Sequence, residues 1–141
     1  MVLALSDPTP AQANDGQASV CTINVTIEGL NSARGVIQIV ICPPGSGFPD
    51  CKNRAVRSAT LPIRNKAATA HFSGLTPGEY AIAVFHDANG NGKLDSFIGI
   101  PREGFGFSRN PSLKPRAPRF EEAKIDARDS NNVEIRMKYL F

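Results

Sequence analysis

The sequence has no tryptophan, only two histidines and three cysteines, and no strong excess of charge of either sign. Sixteen Lys and Arg stand against thirteen Asp and Glu, a net +3 that a solvated surface accounts for, so nucleic acid is not an expected partner. No apolar run approaches the roughly 20 residues of a spanning helix, which argues against a transmembrane segment. Also missing are a sustained helical period, a nucleophile elbow, a phosphate loop and a dinucleotide fingerprint. What remains is ordinary for a globular chain: 41% hydrophobic and 21% charged residues in 141 positions. That length fits one domain, which would bury about two-thirds of the surface its unfolded chain exposes.

From Val20 onward apolar and polar residues alternate in short runs broken by Gly, Pro, Asn and Asp, the period of half-buried strands. Cys21, Ile23, Val25 and Ile27 share one face of the first run. Ile37, Ile39 and Ile41 share one face of the second, 36–42, with Cys42 on the other. Further runs at 56–63, 66–73, 78–86, 120–127 and 132–139 make seven strands. Asn65 and Lys66 suit a tight hairpin turn, and Thr76-Pro77-Gly78 suits a turn before the fifth run. The expected fold is an all-β, seven-stranded antiparallel sandwich of immunoglobulin-like or transthyretin-like form with one long loop. A closed barrel is the runner-up.

Residues 1–19 show no such period and are expected to be a truncated signal peptide or a flexible tail, leaving 20–141 as the sandwich domain. Ala11, Gln12 and Ala13 give the small-x-small pattern of a signal-peptidase site, although a basic leading segment is missing. Three cysteines cannot all pair within one chain. Cys42 and Cys51 bracket a loop long enough for a disulfide if the compartment is oxidising, with Cys21 left over as a buried small hydrophobe. Free thiols in a reducing cytoplasm are the alternative.

The long loop, 87–118, holds the residues with chemical potential. Asp87, Asn89, Asn91 and Asp95 offer side-chain oxygens at alternating positions, Lys93 a carbonyl, and Gly92 sits sixth, as in the first nine positions of an EF-hand calcium loop. The twelfth position is Ile98 rather than a bidentate Glu, so any Ca2+ site would be weak, and the same Asn-Gly repeats also make a plain tight turn. His71 and His86, if their strands pair, form with Glu103 a second candidate, a zinc set for a metal-dependent hydrolase. The competing reading makes both histidines structural. Phe105 and Phe107, alternating with glycine, either plug the sandwich or offer an exposed platform for a protein or small ligand. Arg109, Lys114, Arg116 and Arg119 follow as a basic flank of solvated-loop type.

Three segments carry a family resemblance: Gly74-Leu75-Thr76-Pro77-Gly78-Glu79-Tyr80, then the run from His86 through Asp95, then Gly99-Ile100-Pro101-Arg102-Glu103-Gly104-Phe105-Gly106-Phe107-Ser108. Together they resemble the uncharacterised bacterial family called domain of unknown function 2141. The resemblance spans roughly residues 22–137 and implies an exported, periplasmic or secreted protein with a sandwich fold. It implies no reaction.

Overall fold

The computed structural model describes residues 20–88, 104–112, 114 and 116–139. Eight strands lie among them: β1 (Cys21–Glu28), β2 (Val36–Cys42), β3 (Arg57–Leu61), β4 (Ala68–Leu75), β5 (Gly78–Asp87), β6 (Phe105–Phe107), β7 (Lys124–Ala127) and β8 (Ser130–Arg136). A 3-10 turn, Lys52–Arg54, and one helical turn, α1 (Phe120–Ala123), complete the described elements. The strands form two sheets, ordered β4-β1-β8 and β3-β2-β5-β6, with β7 added to β5 beside β6. The sheets do not close into a barrel.

The sheets share one core because each presents the apolar half of an alternating strand. Ile23, Val25 and Ile27 of β1, Ile37, Ile39 and Ile41 of β2, Ile82 and Val84 of β5, and Ile135 of β8 are all but fully buried together. Each such side chain contributes about 1.5–3 kcal/mol relative to staying exposed. Turn chemistry agrees with the sequence where the geometry is tight: Asn65 and Lys66 both take positive φ, 54° and 57°, between the bridged residues Arg64 and Ala67. That is the two-residue hairpin turn that matches strand twist.

Three expectations about the strands are corrected. The last strand, β8, runs parallel to β1, with Val25 opposite Val133 and Ile27 opposite Ile135. Alternation fixes which face a side chain takes but not the direction of the neighbouring strand. The run 120–127 opens as a helical turn, since the Arg119 N–H donates to the Glu122 carboxylate at 2.8 Å and starts the turn. Finally, β6 lies inside what sequence marks as loop; it is only three residues long and one of them is glycine.

β5 departs from simple alternation because both of its faces are buried. Tyr80, Ile82 and Val84 face the main core, while Ala81, Ala83 and Phe85 join Phe105, Phe107 and Ala123 in a second cluster on the outer side. Small Ala81 and Ala83 leave room for the phenylalanine rings above them. The glycine of β6 and the one just before it have the converse role. A Cβ on Gly106 would stand 2.7 Å from the Ile135 side chain, and one on Gly104 would enter the Tyr139 ring. Glycine therefore faces the chain crossing beneath, and phenylalanine faces the outer cluster.

Candidate functional site

His86 stands at the end of β5 with both ring nitrogens engaged. The Arg34 carbonyl, 2.8 Å from Nε2, can only accept, so Nε2 carries the proton and donates to it. Nδ1 is then the acceptor for the Tyr139 hydroxyl at 2.8 Å. Burial pushes the Tyr139 phenol above its ordinary pKa, against the lowering effect of the Asn31 backbone N–H. The backbone N–H of His86 also donates to the Gly104 carbonyl at 2.9 Å. The imidazole thus ties the 29–35 connection and the C-terminal segment to β5, and the backbone joins the two stems of the long loop.

His71 does not meet it. β4 and β5 belong to different sheets, with His71 opposite Asn24 and His86 opposite Ile37, so the strand pairing that the zinc set required is not formed. His71 is exposed and donates from Nδ1 to Asn24 Oδ1 at 2.6 Å, the amide oxygen being acceptor only. Glu103 lies outside the described residues, as do Asn89, Asn91, Lys93 and Asp95 of the calcium-type run. Of that run the structure describes Asp87, a buried last residue of β5. Among the described residues no three His, Cys, Asp or Glu side chains gather as a metal site.

Ser108 is fully buried, and its role was not legible in sequence. Its N–H donates to the Ile82 carbonyl at 3.0 Å, its Oγ accepts from the Ile82 N–H at 2.9 Å, and the same hydroxyl donates to the Ala123 carbonyl at 2.5 Å. It thereby fills the gap in the β5 ladder between β6, which pairs Ala83 to Phe85, and β7, which pairs Gly78 to Ala81. Two residues on, Asn110 uses its side-chain amide as a surrogate peptide. It donates to the Glu134 carbonyl at 3.0 Å and accepts from the Arg136 N–H at 2.8 Å, closing the edge of β8. Phe105 exchanges two backbone bonds with Lys138 at the same seam. Phe105 and Phe107 are both buried, at 6% and 8% exposure, so they plug the fold rather than present a platform.

Cys42 and Cys51 form a disulfide with their Cα atoms 5.9 Å apart, leaving Cys21 free in the main core, where burial raises its thiol pKa. The closed segment carries Phe48 onto Phe107 and Phe120, edge to face, at centroid distances of 5.8 and 6.3 Å. The basic flank is partly neutralised. Glu122 receives Arg116 through both guanidinium Nη atoms and Lys114 at 2.9 Å, and Arg116, the Arg119 N–H and Lys114 hold its carboxyl well below the usual range. At the other end of β5, the Tyr80 hydroxyl donates to the Thr76 carbonyl across the Thr76-Pro77-Gly78 turn. No helix among the described residues is long and apolar enough to cross a membrane.

The family model described as an uncharacterised protein conserved in bacteria, domain of unknown function 2141, matches residues 25–136. No curated protein and no solved structure matches the chain. The matched span contains β2 to β7, the Ser108 and Asn110 seam and the disulfide.

Proposed function

Because the chain belongs to the bacterial domain-of-unknown-function-2141 family, for which no activity comes with the membership, we propose from its own geometry that it is an exported, non-catalytic binding or structural module. The observation that carries the reading is the commitment of two buried, chemically capable side chains, His86 and Ser108. Both nitrogens of His86 are engaged by the Arg34 carbonyl and Tyr139, and the Ser108 hydroxyl donates its proton to the Ala123 carbonyl and accepts from the Ile82 N–H, which is scaffold chemistry. A protein or small-molecule ligand fits this reading, and nucleic acid does not.

Two finer features belong to the same proposal. An immunoglobulin-like fold is supported by β1 beside β4 and by β3 beside β2 beside β5, in keeping with the B–E and C′–C–F neighbours of that architecture, and by Tyr80 bonding back to Thr76 at the start of β5, as in its tyrosine corner. Export to the periplasm or beyond is supported by the Cys42–Cys51 bond, because disulfides persist in oxidising compartments. Calcium, held weakly by Asp87, Asn89, Asn91, Asp95 and the Lys93 carbonyl, would organise the loop that follows β5.

Two measurements test these clauses. Thiol titration of the denatured native protein should find one reactive cysteine, Cys21; finding three would remove the export argument. Chelator-stripped protein should gain thermal stability in millimolar calcium, and Asp95→Asn should abolish the gain. An unchanged melting temperature in the wild type would remove calcium from the proposal.

A further inference from the structure

The segment 43–50 is built as a unit separate from the sheet beneath it. Its described hydrogen bonds are internal: the Ser46 hydroxyl donates to the Pro43 carbonyl at 2.7 Å, and the Asp50 N–H to the Gly47 carbonyl at 2.9 Å. Among the described residues none links it to β5, β6 or α1. Pro43, Pro44 and Pro49 have no N–H to offer, and Gly45 and Gly47 sit at positive φ, Gly45 with open space about it. Its described anchor on the body is the half-buried Phe48 ring, set against Phe107 and Phe120.

We propose that residues 43–50 are a lid over the aromatic outer face of the β3-β2-β5-β6 sheet, latched by the Cys42–Cys51 bond and freed by a dithiol reductant, so that the apolar surface around Phe107 and Phe120 becomes a site for an aromatic ligand. The latch acts through loop length. The disulfide closes the loop over a sequence separation of nine; once it is cut, the nearest tie is the Val56 N–H to the Ile41 carbonyl at 2.9 Å. A longer closed segment restrains Phe48 less. The surface it leaves is the pair of rings, Phe107 and Phe120, that now hold Phe48 edge to face, a seat that a flat apolar group of ligand can take in place of the Phe48 ring.

The reduction balances as an exchange. The Cys42–Cys51 bond breaks, each sulfur ends as a thiol, and the two thiols of the reductant become its own disulfide. Both cysteines are buried, at 0% and 2% exposure, so a thiolate reaches them only during a transient lift that the closed loop still permits, and cutting the bond makes that lift lasting. Lid opening therefore sets the reduction rate, and the packing of Phe48 sets lid opening.

The inference shares the disulfide with the exported reading but requires neither export nor calcium, and its test uses neither. Full-length oxidised protein, the Phe48→Ala variant with its disulfide intact, and the Cys42→Ser/Cys51→Ser variant are compared for reduction by dithiothreitol and for fluorescence of the dye 1-anilinonaphthalene-8-sulfonate. Phe48→Ala is expected to speed reduction at least about tenfold, the equivalent of about 1.4 kcal/mol. Dye fluorescence should rise several-fold in both variants at temperatures where the β-sheet circular dichroism is unchanged. Equal reduction rates for wild type and Phe48→Ala would place reduction behind global unfolding and overturn the lid. So would dye binding that appears only within the melting transition. If the double serine variant does not fold, Phe48→Ala alone decides by the same two readouts.

Discussion

On the β4-β1-β8 sheet the outward row is polar and bare, with Thr69, His71, Asn132 and Glu134 exposed and Asn24 bonded to His71. The outer face of the other sheet carries a second core, in which Ala81, Ala83 and Phe85 lie beneath Phe105, Phe107 and Ala123. Both sheets contribute to the same inner core, so the difference lies in what the chain does after β5. On one side it leaves a strand face to water. On the other it returns as β6, α1 and β7, while the disulfide-closed segment folds back from β2 to cover the same face. The family resemblance rests in part on the covered side: the Gly104-Phe105-Gly106-Phe107-Ser108 stretch is the seam that holds it. Part of the recognisable signature is thus explained by assembly of the second layer, with no chemistry required.

The largest effect should come from emptying the covered face. Phe107→Ala removes a ring packed against Phe48, Phe85 and Phe105 and is expected to cost about 3–5 kcal/mol in denaturant unfolding, whereas His71→Ala on the bare face should change stability by no more than about 0.5 kcal/mol. Comparable losses from both would show that the two faces matter equally and would break the contrast. A smaller loss, about 1–3 kcal/mol, is expected for Ser108→Ala, which leaves the Ile82 N–H and the Ala123 carbonyl without their hydroxyl partner in a buried place. Hydrogen exchange sharpens this one: the Ile82 amide should lose protection while the amides of β1 keep theirs.

The faces of the bare sheet were the legible part, though the parallel direction of β8 was not. One buried face and one wet face produce the alternation that sequence reading detects, and Ile23, Val25 and Ile27 lie where the pattern puts them. β5 has two buried faces, so its outer row of Ala81, Ala83 and Phe85 carries no polar signal to mark an outside. β6 is too short for a period, and Gly104 and Gly106 read as loop until Tyr139 and Ile135 are seen crossing beneath them. Ser108 and Asn110 act through backbone partners 15 to 26 residues away, and His86 through Tyr139 at a separation of 53, distances that no local pattern spans. Asn110 is of a residue type that tolerates the left-handed region, in keeping with the positive φ of 43° it adopts. The calcium-type run is legible as spacing alone, since most of it lies outside the described residues.

The smallest effect is the acid response of the covered side. Arg116, with the Arg119 N–H and Lys114, holds the Glu122 carboxyl below its ordinary pKa in the folded chain, and no such arrangement exists after unfolding. A carboxyl with a depressed folded value binds its proton more readily in the unfolded state, so its contribution is complete above the unfolded value of about 4.3 and is lost as pH falls further. Glu122→Gln should flatten the pH dependence of stability below about pH 4 and leave it unchanged at pH 7 apart from a constant offset. Salt should weaken the slope in the wild type, because the ion pairs are open to solvent. Since Glu122 also starts α1, which lies over Ala81 and Ala83, acid should loosen the amides of α1 and the 105–110 seam before those of β1 and β4. Simultaneous loosening of both sheets would mean that Glu122 acts on the whole fold and has no special tie to the covered face.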